Sequence, residues 1–194
     1  VLSPLASPGL TSRVLLVQLG TIVSLWVGLF LLNGWLFERL TFSEHVSWIF
    51  LPAALRMIAV LLAGWVGTLG IFLGSLVTCI YVVGLTDPVS ILVVSGLSAL
   101  SPTLALLVCA RFWGSQSNLA GLSSLNLLIL GIVAASFTAI SHNIHFVMMG
   151  QVEQVGTSIG AMFIGDLVGT LIVLYGAKAL LCLMMPKPTA DSAL

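Results

Sequence analysis

Uninterrupted apolar stretches longer than about 18 residues constrain this chain more than any other feature. A run of that length reads as a helix crossing a lipid bilayer. Between residues 14 and 37 there is no charged side chain, and comparable stretches recur along the chain. A membrane β-barrel would alternate polar and apolar residues in segments of about ten. The runs here are continuous, so a barrel is excluded. Composition agrees: 6% of the 194 residues are charged and 59% are hydrophobic, against about 25% charged in a soluble domain. So few charges cannot cover a water-facing surface, which excludes a soluble enzyme. Six basic residues balance six acidic ones, leaving no basic patch to hold nucleic acid. Cys79, Cys109 and Cys182 lie inside apolar runs without CxxC spacing. That pattern argues against a disulfide framework or a zinc site, and for small packing residues.

The runs predict an all-α, polytopic bundle of six transmembrane helices. Residues 1–12 form an N-terminal tail, 13–185 the transmembrane domain and 186–194 a C-terminal tail. The predicted helices cover about 14–37, 46–63, a segment from the glycine turn 64–67 to 85, 89–110, 122–149 and 157–185. Pro102 predicts a kink in helix four, and Asp87-Pro88 reads as a turn. The first run is too long for a signal-peptide core and reads as a retained helix. The chain opens on Val rather than Met, consistent with a fragment. With the N-terminus in the cytoplasm, Arg13, Arg111, Lys178 and Lys187 fall on the cytoplasmic side and Arg39 alone outside. The positive-inside rule favours that orientation, with both termini cytoplasmic. Trp35 and Trp48 then sit at the outer interface, Trp65 and Trp113 at the inner one. The loops are short, so any chemistry belongs within the helices or at their mouths.

Charged residues inside spans are costly and mark functional candidates. Arg56 lies nine residues past Ser47, and Asp166 nine past Thr157. At 1.5 Å per residue both are roughly 13 Å below the outer face. Equal depth and opposite sign invite an ion pair, which offsets part of the desolvation of each charge. The pair either locks helix two to helix six or faces a ligand cavity. Helix five carries Ser141-His142-Asn143-Ile144-His145. His142 and His145 share a helical face and lie roughly 12 and 8 Å deep. Arg56, His142, His145 and Asp166 therefore form a candidate ligand-binding or intramembrane polar cluster, with Gln151, Glu153 and Gln154 as a polar rim. No cofactor is expected. A metal held by His142 and His145 with a carboxylate is an alternative, as is haem or pigment ligation by one histidine with a partner chain. The simplest reading is hydrogen-bonding histidines lining a polar cavity or a helix interface. His45, in the first outer loop, reads as a solvated surface residue.

Gly67, Gly70 and Gly74 recur at spacings of three and four, and Gly165 and Gly169 flank Asp166 at a spacing of four. Such spacing lets helix backbones approach closely, so these five read as helix-packing positions.

Two stretches carry a resemblance. The first is Phe50-Leu-Pro-Ala-Ala-Leu-Arg56, followed by Gly64-Trp-Val-Gly67 and Gly70-Ile-Phe-Leu-Gly74. The second is Phe163-Ile-Gly-Asp166-Leu-Val-Gly169-Thr-Leu171. A proline-initiated helix, a glycine turn and a late Gly-Asp-x-x-Gly element resemble the bacterial membrane-associated sensor domain of the MASE type. That resemblance implies a non-enzymatic sensory or accessory protein of a bacterial inner membrane. It would bind a small ligand or partner helices in its outer half and act through a partner chain. The same stretches are similar to the substrate-binding S-components of energy-coupling-factor transporters, which have six helices and cytoplasmic termini. That similarity implies capture of a small solute for uptake. Those proteins usually carry an Ala-x-x-x-Ala element in helix one, whereas residues 14–37 contain no alanine. A third expectation is a structural subunit of a larger membrane complex.

Overall fold

The structure, a computed structural model, describes residues 12–37, 39, 41–43, 46–113, 124–152 and 154–184. Six helices carry the fold: α1 (Ser12–Phe37), α2 (Pro52–Ala63), α3 (Trp65–Tyr81), α4 (Pro88–Trp113), α5 (Ser124–Met148) and α6 (Val155–Met184). Between α1 and α2 lies a small antiparallel hairpin of β1 (Thr41–Ser43) and β2 (Val46–Ser47). Thr41 pairs with Ser47 and Ser43 with Val46, with one irregularity between the pairs. Among the described residues, four helical stretches are long and apolar enough to cross a membrane: Ser12–Phe37, Pro88–Phe112, Leu125–Met148 and Val155–Gly176. The helices Pro52–Ala63 and Trp65–Tyr81 are apolar but shorter. The outside of the bundle is apolar, with Leu16, Leu62, Tyr81 and Phe112 all exposed. Leu16, Leu62 and Phe112 are side chains suited to lipid rather than water.

Several boundaries differ from the sequence reading: α3 ends at Tyr81 rather than near 85, and α4 runs to Trp113 rather than 110. Helix two begins at Pro52 and not near 46, because residues 46–47 belong to the hairpin. Proline suits the first helical turn, where its missing N–H leaves no bond unmade. The break between α2 and α3 is also one residue rather than four. Gly64 alone leaves the helix, at φ 54°, a conformation that a side chain disfavours. At the other end of the bundle α5 finishes in a Schellman motif. The Gly150 N–H donates to the Val147 carbonyl at 3.0 Å, and the Gln151 N–H to the Phe146 carbonyl at 2.9 Å. Gly150, at φ 68°, makes that turn. α4 stays helical through Pro102. Its start is capped by the Asp87 carboxylate, which accepts the Ser90 N–H at 2.8 Å.

α2 forms the centre. Pro52 through Met57, Ala59 and Val60 are all buried. One apolar cluster joins Leu55 and Ala59 of α2 to Ile22 and Trp26 of α1, Ile71 of α3 and Ala99 of α4. A second joins Met57 to Ala105 and Cys109 of α4 and Leu130 of α5. A third, Val46, Phe146 and Ala161, seats the hairpin against α5 and α6. Trp26 is thus a core residue. The tails before residue 12 and after 184, the stretch 114–123, and Glu38, Glu44, His45 and Glu153 lie outside the described residues. The expectations placed on them, including the tail assignments, go with them.

Candidate functional site

The glycines of α6 determine how α2 enters the bundle. A Cβ on Gly165 would meet the backbone carbonyl of Ser47, and one on Gly169 would meet that of Phe50. Their absence lets the non-helical stretch 47–51 lie directly on α6. The Phe50 N–H then donates to the Gly165 carbonyl at 3.0 Å. On its other side the Leu51 N–H donates to Asn33 Oδ1 of α1 at 2.8 Å. Irregular backbone is tolerated inside a membrane protein only when protein satisfies its polar groups in this way. The α3 glycines act similarly. Gly67 receives the backbone of Ala59, Gly70 the side chain of Ile22 and Gly74 that of Trp26.

One turn past Pro52, Arg56 projects between α5 and α6. Its Nη2 donates to Asp166 Oδ1 at 2.7 Å, and its Nη1 to Thr138 Oγ1 at 3.3 Å. The guanidinium carbon stands 5.2 Å from the centre of the Phe50 ring, a cation–π distance. Arg56 and Asp166 are each 4% exposed. A buried charge is tolerable only when paired and hydrogen-bonded, and this pair is both. Thr138 donates its own hydroxyl to the Ala134 carbonyl at 3.0 Å, leaving lone pairs for the arginine.

His142 stands next in this chain of contacts. Its Nδ1 is 3.1 Å from the Thr138 carbonyl and its Nε2 is 3.2 Å from Ser98 Oγ. A carbonyl only accepts, so Nδ1 is assigned the proton of the neutral ring, and Nε2 accepts from the serine. His142 and Asn143 are buried, Ile144 is exposed and His145 is half-buried.

These groups line one cavity of about 620 Å³, within the range for drug-sized ligands. Its lining draws on the last turns of α1, α3 and α5 and on the hairpin and the first turns of α4. The ends next to the connections 38–51, 82–87 and 149–154 therefore converge on it. Arg56, Thr138 and Asp166 form its floor, and only a void of about 10 Å³ continues beyond them. Gln151 lines the mouth, while Gln154 is exposed and takes no part in the lining. Arg56, His142, His145 and Asp166, which the sequence grouped as one polar cluster, thus share one cavity.

Sequence reasoning missed the rest of the wall. Phe50 packs edge-on against Trp26 and Phe30, with ring centroids 6.4 and 6.0 Å apart. Trp26 Nε1 donates to Thr78 Oγ1 at 3.2 Å. Ser98 and Asn33 also line the cavity. Asn33 was the legible signal: a carboxamide within an apolar run needs a polar partner. The aromatic residues gave no signal, since rings facing lipid and rings facing a cavity look alike in sequence. Among the described residues no three His, Cys, Asp or Glu side chains gather as a metal site, so the metal alternative finds no third ligand there. No family model, no curated protein and no solved structure matches this chain.

Proposed function

We propose that this chain is a non-enzymatic, multi-pass protein of a bacterial inner membrane that binds a small ligand and acts through a partner chain. It crosses the bilayer six times with both termini cytoplasmic, the non-helical stretch before Pro52 extending the reach of the short α2, so the cavity opens to the outside. The cavity of about 620 Å³ floored by the Arg56–Asp166 pair carries this reading. The ion pair of the floor ties α2 to α6, and the Phe50–Gly165 hydrogen bond ties the stretch just before α2 to the same helix. A ligand that presses on Phe50 or Arg56 therefore acts on α6. For that shift to carry a signal, the ligand must bind two arrangements of α2 and α6 with different affinity.

The same cavity supports a second reading, an S-component-like subunit that captures a solute for uptake. The two differ in partner, and a structural subunit of a larger complex differs from both in needing no ligand. Mass spectrometry of what co-purifies with the tagged chain from its native membrane separates them. The sensory reading expects a kinase or cyclase partner. An ATPase module overturns it in favour of uptake, and a large membrane complex with no small molecule bound overturns it in favour of a structural role.

A further inference from the structure

We propose that the cavity takes an uncharged, planar aromatic ligand with a hydrogen-bonding edge. This rests on the cavity being a ligand site, the reading given above. Three observations lead to that class.

The first is ring surface. Trp26, Phe30 and Phe50 meet edge-to-face at one wall, with interplanar angles of 73° and 85°. Phe146 also lines the cavity, with its ring 6.1 Å from that of His142. Trp26 spends its N–H on Thr78, so it offers the cavity only its ring. Such a wall favours a flat aromatic body, through offset or edge-to-face packing.

The second is charge. Among the described residues, Arg56 and Asp166 are the formally charged members of the lining, and they neutralise each other at 2.7 Å. A ligand carboxylate brought to Arg56 would stand beside Asp166. A ligand ammonium brought to Asp166 would stand beside Arg56. Either arrangement sets like charges together in a site where they are poorly screened. Among the described residues, the remaining ionisable groups facing the cavity are His142, His145 and Cys79. His142 has both ring nitrogens engaged, by Thr138 and Ser98.

The third is the pattern of donors and acceptors. The guanidinium has five N–H groups, and its bonds to Asp166 and Thr138 use two of them. It therefore favours a ligand carbonyl or ring nitrogen. Ser98 lines the cavity and, with its proton given to His142 Nε2, has only lone pairs left to offer, which favours a ligand N–H. An acceptor beside a donor on one edge, as in a lactam or a carboxamide, matches both.

Cys79 lines this cavity and Cys109 does not, although both thiols are free and buried. The full chain in nanodiscs is treated with methyl methanethiosulfonate, and modification of each cysteine is followed by peptide mass spectrometry. The reaction is repeated with naphthamide, naphthoate or naphthylmethylammonium at saturation. The proposal expects naphthamide to slow modification of Cys79 about tenfold more than either charged isostere, a difference in site occupancy, with Cys109 unchanged. It expects Phe50→Leu and Phe30→Leu to weaken that protection while Cys79 still reacts. Equal or better protection by a charged isostere overturns the ligand class. So does protection by none of the three, or protection that survives both variants. In each of those cases Cys79 still reacts faster than Cys109 in the free chain, and the cavity stands. If Cys79 reacts no faster than Cys109, the cavity is closed and the proposed function falls with the inference.

Discussion

α1 and α2 are both apolar helices, yet they are stabilised in opposite ways. α1 has 26 residues, of which Ile22, Trp26 and Asn33 are buried. α2 has 12 residues, of which eight are buried. α1 is long and apolar enough to cross a bilayer unaided, and most of its residues are exposed, as a lipid-solvated helix would be. α2 is roughly 18 Å long, too short for a hydrocarbon layer of about 30 Å. Its surroundings are protein, and its approach from the hairpin is held by Asn33 and Gly165. A lipid-solvated helix needs only composition. A protein-solvated helix needs specific partners, and Arg56 sits on the second kind, paired with Asp166 of the long α6.

That contrast orders the expected effects of substitution, each read as the stability of purified protein in mild detergent. The largest is Arg56→Met, which leaves Asp166 buried without its partner and is expected to cost about 3–5 kcal/mol. The double variant Arg56→Met with Asp166→Leu should regain most of that loss, yet lose the ligand response. A normal response in the double variant would make the pair purely structural. Next is Gly169→Val, where the new side chain collides with the backbone of Phe50. A loss of about 3 kcal/mol is expected. Asn33→Leu removes the acceptor of the buried Leu51 N–H and should cost about 1–3 kcal/mol. Smallest is Gly28→Ala on α1, where nothing lies within 4 Å of the added methyl. There the helix should be unchanged, or stabilised by up to about 1 kcal/mol. If Gly28→Ala proved as harmful as Gly169→Val, the contrast between the two helices would fail.

The difference also explains what could be read in advance. The four long helices announce themselves, since hydropathy over a span is a property of the run itself. Arg56, Asp166 and His142 were legible as a layer because a charge or imidazole inside a span stands out and depth follows from helical rise. The start of α2 was not legible. Val46 to Phe50 is apolar enough to extend a helix, and only the hairpin, pinned between α5 and α6, turns it into extended backbone. Phe50, Trp26 and Phe30 escaped for a related reason, because an aromatic residue in a membrane helix is as plausible against lipid as against a ligand.

The most direct measurement is the accessibility of a cysteine placed on the cavity wall by Ser98→Cys, in a background lacking the three native cysteines. A membrane-impermeant maleimide is added to intact cells and, separately, to inverted membrane vesicles. Leu128→Cys, on the exposed apolar face of α5, serves as the lipid-facing reference. The account predicts that position 98 is labelled in intact cells while position 128 is not. Labelling of position 98 only in inverted vesicles would contradict the orientation, and labelling in neither would contradict an open cavity.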